Sequence, residues 1–279
     1  MIFPSTAFGS PQAVARRPLH AHAFTLTELL VVLAIIGLLA SLVLPGLGAA
    51  RRRAATAACL NNARQVALAC HLYAGDSGDQ WVLNVDGMNG GRTNWVAGDA
   101  TDAPGHTNIA LLADQRRSLL SAYLTAPKCY KCPSDKSSYP RSISMNCRLN
   151  PHRGFGLPPR WIGGEGSRFR VFRKLGDLVR PSSVFVTLDE SEGSINDAYF
   201  AVDLSHTGTA EGHGLVSPFH VIDVPSVEHE DGAVFSWADG SATRRRWASP
   251  ATFRGMRPKS HVRRASPDVD WLQSHCSHE

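Results

Sequence analysis

The sequence predicts an α+β protein: a long N-terminal helix, membrane-spanning in its first half, packed on a mainly antiparallel β-sheet domain. Three observations carry this. An apolar run without charge fills residues 29–50. Good helix formers extend it to residue 75, with apolar side chains at helical spacing. Strand-like segments follow in the second half, ending in "GAVFSWADGSATRRRW" (232–247), two runs either side of an Asp-Gly turn.

The helix comes first. "AFTLTELLVVLAIIGLLASLVLPGLGAA" (23–50) holds one charged side chain, Glu28. Its uncharged part is about 22 residues, or about 33 Å of helix, close to the roughly 30 Å hydrocarbon core of a bilayer. A secretory signal has a shorter apolar core, about 7–15 residues, with its cleavage site behind it. A helix buried in a soluble core would carry a polar stripe, and this run has none. From residue 51 onward Leu60, Ala63, Ala67 and Cys70 recur at spacings of three and four, with Val66 beside them. That face is expected to pack on a globular domain. Gly75, Asp76, Ser77 and Gly78 are expected to end the helix, and Pro45 with Gly46 to break or kink it midway.

Residues 76–128 read as loops and short strands, with a helix over Leu111–Leu124. Residues 153–166 are rich in Gly and Pro. "SSVFVTLDE" (182–190) and "DAYFAV" (197–202) read as strands and 203–226 as a loop. The net charge is +5, and the excess is concentrated: Ser241–Pro267 contains no acid but has Arg244, Arg245, Arg246, Arg254, Arg257, Lys259, Arg263 and Arg264. Residues 248–279 therefore read as a solvated basic tail, with an anionic surface such as phospholipid or cell-wall polymer as the alternative partner. Trp247 is a candidate stacking residue beside it, but interleaved aromatics are missing, so nucleic acid is not an expected partner.

The segment Ala23-Phe24-Thr25-Leu26-Thr27-Glu28 and its apolar continuation resemble the N-terminus of type IV pilin-like proteins, especially type II secretion pseudopilins. The resemblance implies a leader over 1–23, cleavage between Ala23 and Phe24 by a prepilin peptidase, and methylation of the new Phe24 amine. The family usually has Gly where this chain has Ala23. Residues 24–50 would be the membrane and assembly helix, 51–75 its amphipathic continuation, and 76–247 the globular domain. A second resemblance covers patches of that domain. His229, nine residues, then Asp239-Gly240 is similar to the H-X9-DG region of pilin-like proteins, as are "CPSDKS", "RSISMN" and "VFVTLDE".

The resemblance implies a single-pass protein of the bacterial inner membrane, with its C-terminal domain in the periplasm or an envelope filament. Other pilin-like subunits and an inner-membrane assembly platform would be its partners. The flanking charge opposes that orientation, because Arg51, Arg52 and Arg53 follow the span while Arg16 and Arg17 precede it. Glu28 would neutralise the Phe24 amine of a neighbouring subunit, since an acid in lipid needs a partner.

Six cysteines are too few for a disulfide scaffold of this length. Cys129 and Cys132 form a Cys-x-x-Cys pair, and zinc would need Cys147 and His152 to complete four ligands at a spacing unlike a standard finger. The preferred reading is a disulfide from Cys129 or Cys132 to Cys147. Cys59 and Cys70 lie about 16 Å apart along one helix and cannot bridge each other. Asp189, Glu190 and Asp197 offer oxygen ligands for calcium, which related pseudopilins carry in this region. A tight turn accounts for Asp239-Gly240, and a loop-fixing hydrogen bond is the plainer role for His229. No nucleophile elbow, Walker loop, HExxH or GxGxxG is present, so no enzyme is expected. The expected function is a pseudopilin-like structural subunit of a type II secretion or type IV pilus-like filament. The alternative is a membrane-anchored envelope protein holding a ligand or metal near His229 and Asp239.

Overall fold

The computed structural model describes residues 25–85, 93–98, 107–152, 169–202, 204, 219–256, 260–262 and 266–277. The chain forms two units, residues 1–48 and 49–279. Helix α1 (Leu26–Asp76), 51 residues long, contributes to both. It runs through Pro45 and Gly46 without interruption, so the expected break is not found. Proline removes one donor from the ladder, but helix flanks the gap on both sides and propagation carries across it.

In the first unit the large apolar side chains of α1 face outward: Leu30 is 56% exposed and Leu42 71%. Mean hydropathy reaches 2.7 in this stretch, and none of it is buried in the protein. By length and composition it is suited to crossing a membrane.

In the second unit α1 becomes one-sided. Cys59, Ala63, Val66, Ala67, Cys70 and Ala74 are buried, while Leu68 and Leu72 on the other side are exposed. The helix ends at Asp76, after which Gly78 and Asp79 adopt φ of +64° and +69°. The Asp79 N–H returns to the Ala74 carbonyl at 2.9 Å, satisfying an end carbonyl.

The buried face of α1 packs on a five-stranded sheet. Its strands are β1 (Ile143–Asn146), β2 (Phe185–Asp189), β3 (Tyr199–Phe200), β5 (Gly232–Trp237) and β6 (Ala242–Arg246), in the order β3-β1-β2-β5-β6. Only the β1–β3 pairing is parallel. A separate two-stranded sheet joins β4 (Phe219–Val221) to β7 (Ser260–Val262), in segments expected to be loop and tail.

Strands β2 and β5 are buried at every position, so both faces of the sheet need cover. Met145, Val186 and Val234 lie on the side of α1, in cores with Cys59, Ala63, Val66 and Cys70. Phe185, Leu188, Phe235 and Trp237 point the other way and pack with Trp247, Phe253, Val269, Leu272 and Cys276.

The last three of these belong to a second helix, α2 (Pro267–Cys276). The segment 248–279 is therefore not a solvated tail: its described part covers the second face of the sheet. Three of the arginines from the β5–β6 hairpin onward have partners among the described residues. Arg244 pairs with Glu230, and Arg254 with Asp231. The Arg245 guanidinium lies 4.5 Å over the Trp271 ring. The buried Asp268 carboxylate accepts the backbone N–H groups of Ala248 and Ser249 at 2.8 and 2.7 Å. Trp247 is buried, its indole N–H on the Ser226 carbonyl, which removes it as a stacking platform. Arg257, Lys259, Arg263 and Arg264 lie outside the described residues.

The helix expected over Leu111–Leu124 is instead two 3-10 turns, Ile109–Ala113 and Leu119–Ala122. Asp114 and Ser118 compete with the helical ladder. The Asp114 carboxylate accepts the Arg116 N–H at 3.0 Å, and the Ser118 hydroxyl donates to the Leu111 carbonyl at 2.7 Å.

Two substitutions test this packing. Leu272→Ala should destabilise the protein by about 2–5 kcal/mol, as for a core leucine. A residue in a solvated tail would change stability by less than about 0.5 kcal/mol. A β-carbon at Gly232 would sit 2.1 Å from the Arg245 carbonyl oxygen. Gly232→Ala should therefore cost about 1–3 kcal/mol through forced separation of β5 and β6. Urea unfolding in detergent measures both.

Candidate functional site

Four buried side chains from distant parts of the chain converge where α1 meets the sheet. Cys59 comes from the inner face of α1, and Cys132 follows the 3-10 turn Pro127–Tyr130. Asp189 is the last residue of β2, and His229 lies in the turn before β5. One ligand atom from each falls within 4.8 Å of all the others.

The cluster is centred on one ring nitrogen. His229 Nε2 is 3.1 Å from Cys132 Sγ and 3.1 Å from Asp189 Oδ2. Cys59 Sγ lies 3.4 and 3.3 Å from the two Asp189 oxygens. The other ring nitrogen, Nδ1, is 3.1 Å from the Thr56 hydroxyl, which donates its proton to the Arg52 carbonyl. Thr56 is thereby left as an acceptor, so Nδ1 carries hydrogen. Backbone donors complete the surroundings: Ser134 N–H points at Cys132 Sγ at 3.3 Å and Val234 N–H at Asp189 Oδ2 at 3.2 Å.

The electrostatics are those of a coupled buried group. The hydrogen bond from Cys59 lowers the Cys132 thiol to a pKa of about 6, helped by His229 and opposed by burial. Cys59, holding the shared proton, is raised by the same bond, with burial and Asp189 adding to it. Burial presses His229 toward its neutral form, but its bonds to Asp189 and Cys132 outweigh this and raise it to about 10. Beside the cluster opens a cleft of about 660 Å³, lined in part by Cys132, Asp135, Lys136, Glu192 and Glu228.

The sequence-derived sets are rearranged. Asp189, Glu190 and Asp197 do not form one oxygen site. Adjacent residues of an extended chain point to opposite sides, so Asp189 enters the cluster while Glu190 Oε1 accepts the Ser194 hydroxyl at 2.7 Å. Asp197 Oδ1 accepts the Tyr199 N–H at 2.8 Å, closing its own turn. Burial, the largest influence, raises Glu190 to about 8.

His229 and Asp239 stand at opposite ends of β5. Asp239 Oδ1 accepts the Ser241 N–H and hydroxyl at 2.9 and 2.6 Å, and Gly240 adopts φ +86° in the hairpin turn. Of the two, only His229 joins the four-residue cluster, while Asp239 serves the hairpin turn.

None of the six cysteines is in a disulfide. Cys129 donates to Gln65 Oε1 at 3.3 Å, and Cys147 Sγ lies 3.7 Å from Cys276 Sγ. The expected bridge from Cys129 or Cys132 to Cys147 is not present, because Cys147 faces the α2 side of the sheet and Cys132 the α1 side.

At the other end of the chain, Glu28 has a local role. Its Oε2 accepts the Thr25 N–H at 2.8 Å and the Thr25 hydroxyl at 2.7 Å, while Thr25 Oγ1 accepts the Glu28 N–H at 3.2 Å. This is a reciprocal capping box that starts α1. Ala23 and Phe24 lie outside the described residues. Residues 19–44 match the family model for the prokaryotic N-terminal methylation motif. The chain has a type IV pilin-like N-terminus. The match overlaps the start of the apolar helix and covers well under half of the chain; the His229–Gly240 region lies outside it. No curated protein and no solved structure matches the chain.

Asp189→Ala strips the buried His229 of its carboxylate partner. It should destabilise the protein by about 3–5 kcal/mol. Asp239→Ala, in a solvent-facing turn, should cost only about 1 kcal/mol. Chemical unfolding of the two variants side by side checks the ranking.

Proposed function

We propose that the protein is a pseudopilin-like structural subunit of a type II secretion or type IV pilus-like filament, without catalytic activity of its own. Prepilin peptidase cuts it before Phe24, its apolar helix holds it in the inner membrane, and an assembly platform moves it into a filament with other pilin-like subunits. The globular unit then lies on the periplasmic side. The observation that carries this reading is the methylation motif over residues 19–44, joined to a helix whose apolar side chains are exposed from Leu26 to Leu47. Such a surface needs either lipid or the matching helices of neighbouring subunits to cover it.

Glu28 fits both settings. Its Oε2 is used by Thr25, while Oε1 accepts no hydrogen bond from a described residue. In a filament the Glu28 carboxylate pairs with the Phe24 ammonium of the next subunit. Removing one partner of such a pair leaves the other charge alone in an apolar setting.

The capping box supplies a way to separate the two roles. Gln can replace Glu in this motif, so Glu28→Gln keeps the helix start but removes the charge. Glu28→Ala removes both. Both variants should be inserted and cleaved, and both should be incorporated poorly into filaments. Normal assembly of Glu28→Gln would leave Glu28 with a capping role only. Mass spectrometry of the mature chain should find an N-methylated Phe24 as its first residue. An uncut N-terminus, or subunits that never crosslink through α1, would favour an anchored envelope protein that does not polymerise.

A further inference from the structure

We propose that Cys59, Cys132, Asp189 and His229 bind one zinc ion, forming a closed structural centre that fastens α1 to the sheet. The four ligand atoms are already gathered within 4.8 Å of one another. Ligand atoms around tetrahedral zinc, at bond lengths of about 2.0–2.3 Å, stand about 3.3–3.8 Å apart. The closest pairs here are 3.1 to 3.4 Å apart, so small side-chain shifts would admit the ion.

Three features favour a metal over other uses of the same side chains. In a Cys-His-Asp relay the carboxylate holds one ring nitrogen and the thiol the other. Here Cys132 and Asp189 both sit on Nε2, and Thr56 takes Nδ1. That is convergence on a point, with the imidazole tautomer set for coordination through Nε2. The neighbours match the outer layer of a metal site: a hydroxyl on the far imidazole nitrogen, and backbone N–H groups on the thiol and the carboxylate. The donor set is also selective. Two sulfurs, one nitrogen and one oxygen suit zinc and disfavour calcium, which takes oxygen ligands in greater number.

Four protein ligands and near-complete burial leave no open position for substrate, so the centre is structural. The cleft beside Cys132 and Asp189, where Glu192 and Glu228 outnumber Lys136, and where Asp135 is paired with Lys131, supplies an approach of net negative charge. The inference is independent of filament assembly; it holds equally for an anchored protein that never polymerises.

The test is the metal content of the full-length protein, made with zinc supplied and purified in detergent under reducing conditions without chelator. Elemental analysis should find about one zinc per chain, the stoichiometry of a single four-ligand site. Cys132→Ser and His229→Gln should lose it. Cys129→Ser should retain it, because Cys129 lies outside the cluster on Gln65. Thr56→Val should still bind zinc, with affinity lowered by roughly 10–100-fold.

Ligand variants that fail to fold would say little, so the wild-type protein carries a second readout. Cobalt substituted for zinc should give the visible bands of a tetrahedral ion and the thiolate charge-transfer absorption of two sulfur ligands. Three results would overturn the proposal: wild-type protein that takes up no zinc with its thiols reduced, cobalt bound without thiolate absorption, or a Cys59–Cys132 disulfide in protein isolated without reductant, seen as a mass lower by two hydrogens.

Discussion

A strand with buried side chains at every position has two faces to cover, and β2 and β5 are both of this kind. That requirement places the rest of the globular unit. The inner stripe of α1 supplies one cover, and its small residues, Ala63, Ala67 and Ala74, let the helix approach closely. The other cover comes from the end of the chain, where α2 brings Val269, Leu272 and Cys276 against an aromatic group built on Phe185, Phe235 and Trp237. Asn146 fastens this second layer. Its side-chain amide donates to the Phe185 carbonyl and to the Cys276 carbonyl at 2.8 and 2.9 Å.

The polar cluster sits inside the first layer, not at its rim. Cys59 and Val234 belong to the same small core. Burying a carboxylate and an imidazole there is costly unless each is fully engaged. Each is: Asp189 receives a thiol and a backbone N–H, and His229 uses both ring nitrogens. The same arrangement that satisfies these groups joins the helix to the sheet through polar contacts, beside the apolar packing of Ala63 and Val234.

Much of the architecture was legible in the sequence because it rests on local patterns. The stripe on α1 follows a helical period, and the β5–β6 hairpin is announced by Asp239-Gly240. Two signals were present but outweighed. Thr25-x-x-Glu28 is a capping-box pattern that the unusual apolar setting of the acid overshadowed. Ser266-Pro267-Asp268 opens α2 with a proline and acids in the first turn, but it follows a run of arginines that reads as a solvated end. The four-residue cluster had no such signal. Cys59, Cys132, Asp189 and His229 share no spacing, and only the packing of α1 on the sheet brings them together. Sequence proximity instead grouped Asp189 with Glu190, and Cys132 with Cys129. Alternation along the chain turns Glu190 away from Asp189, and Cys129, on the same side of the sheet as Cys132, is held by Gln65 and stays out of the cluster.

The interval between His229 and Asp239 is a ruler. It measures the span of β5 from the core-side cluster to the solvent-side turn, and its ends do different jobs. Side chains alternate along a strand, so the interval also fixes parity: Val234 faces α1 while Phe235 faces α2. Deleting or inserting a single residue within it would exchange those two allegiances, sending the large ring toward the helix and the small side chain toward the aromatic group. A change of two residues would preserve parity while moving the turn away from its partners. The constancy such an interval needs is therefore geometric, and it would hold whether or not either end ever touched a ligand.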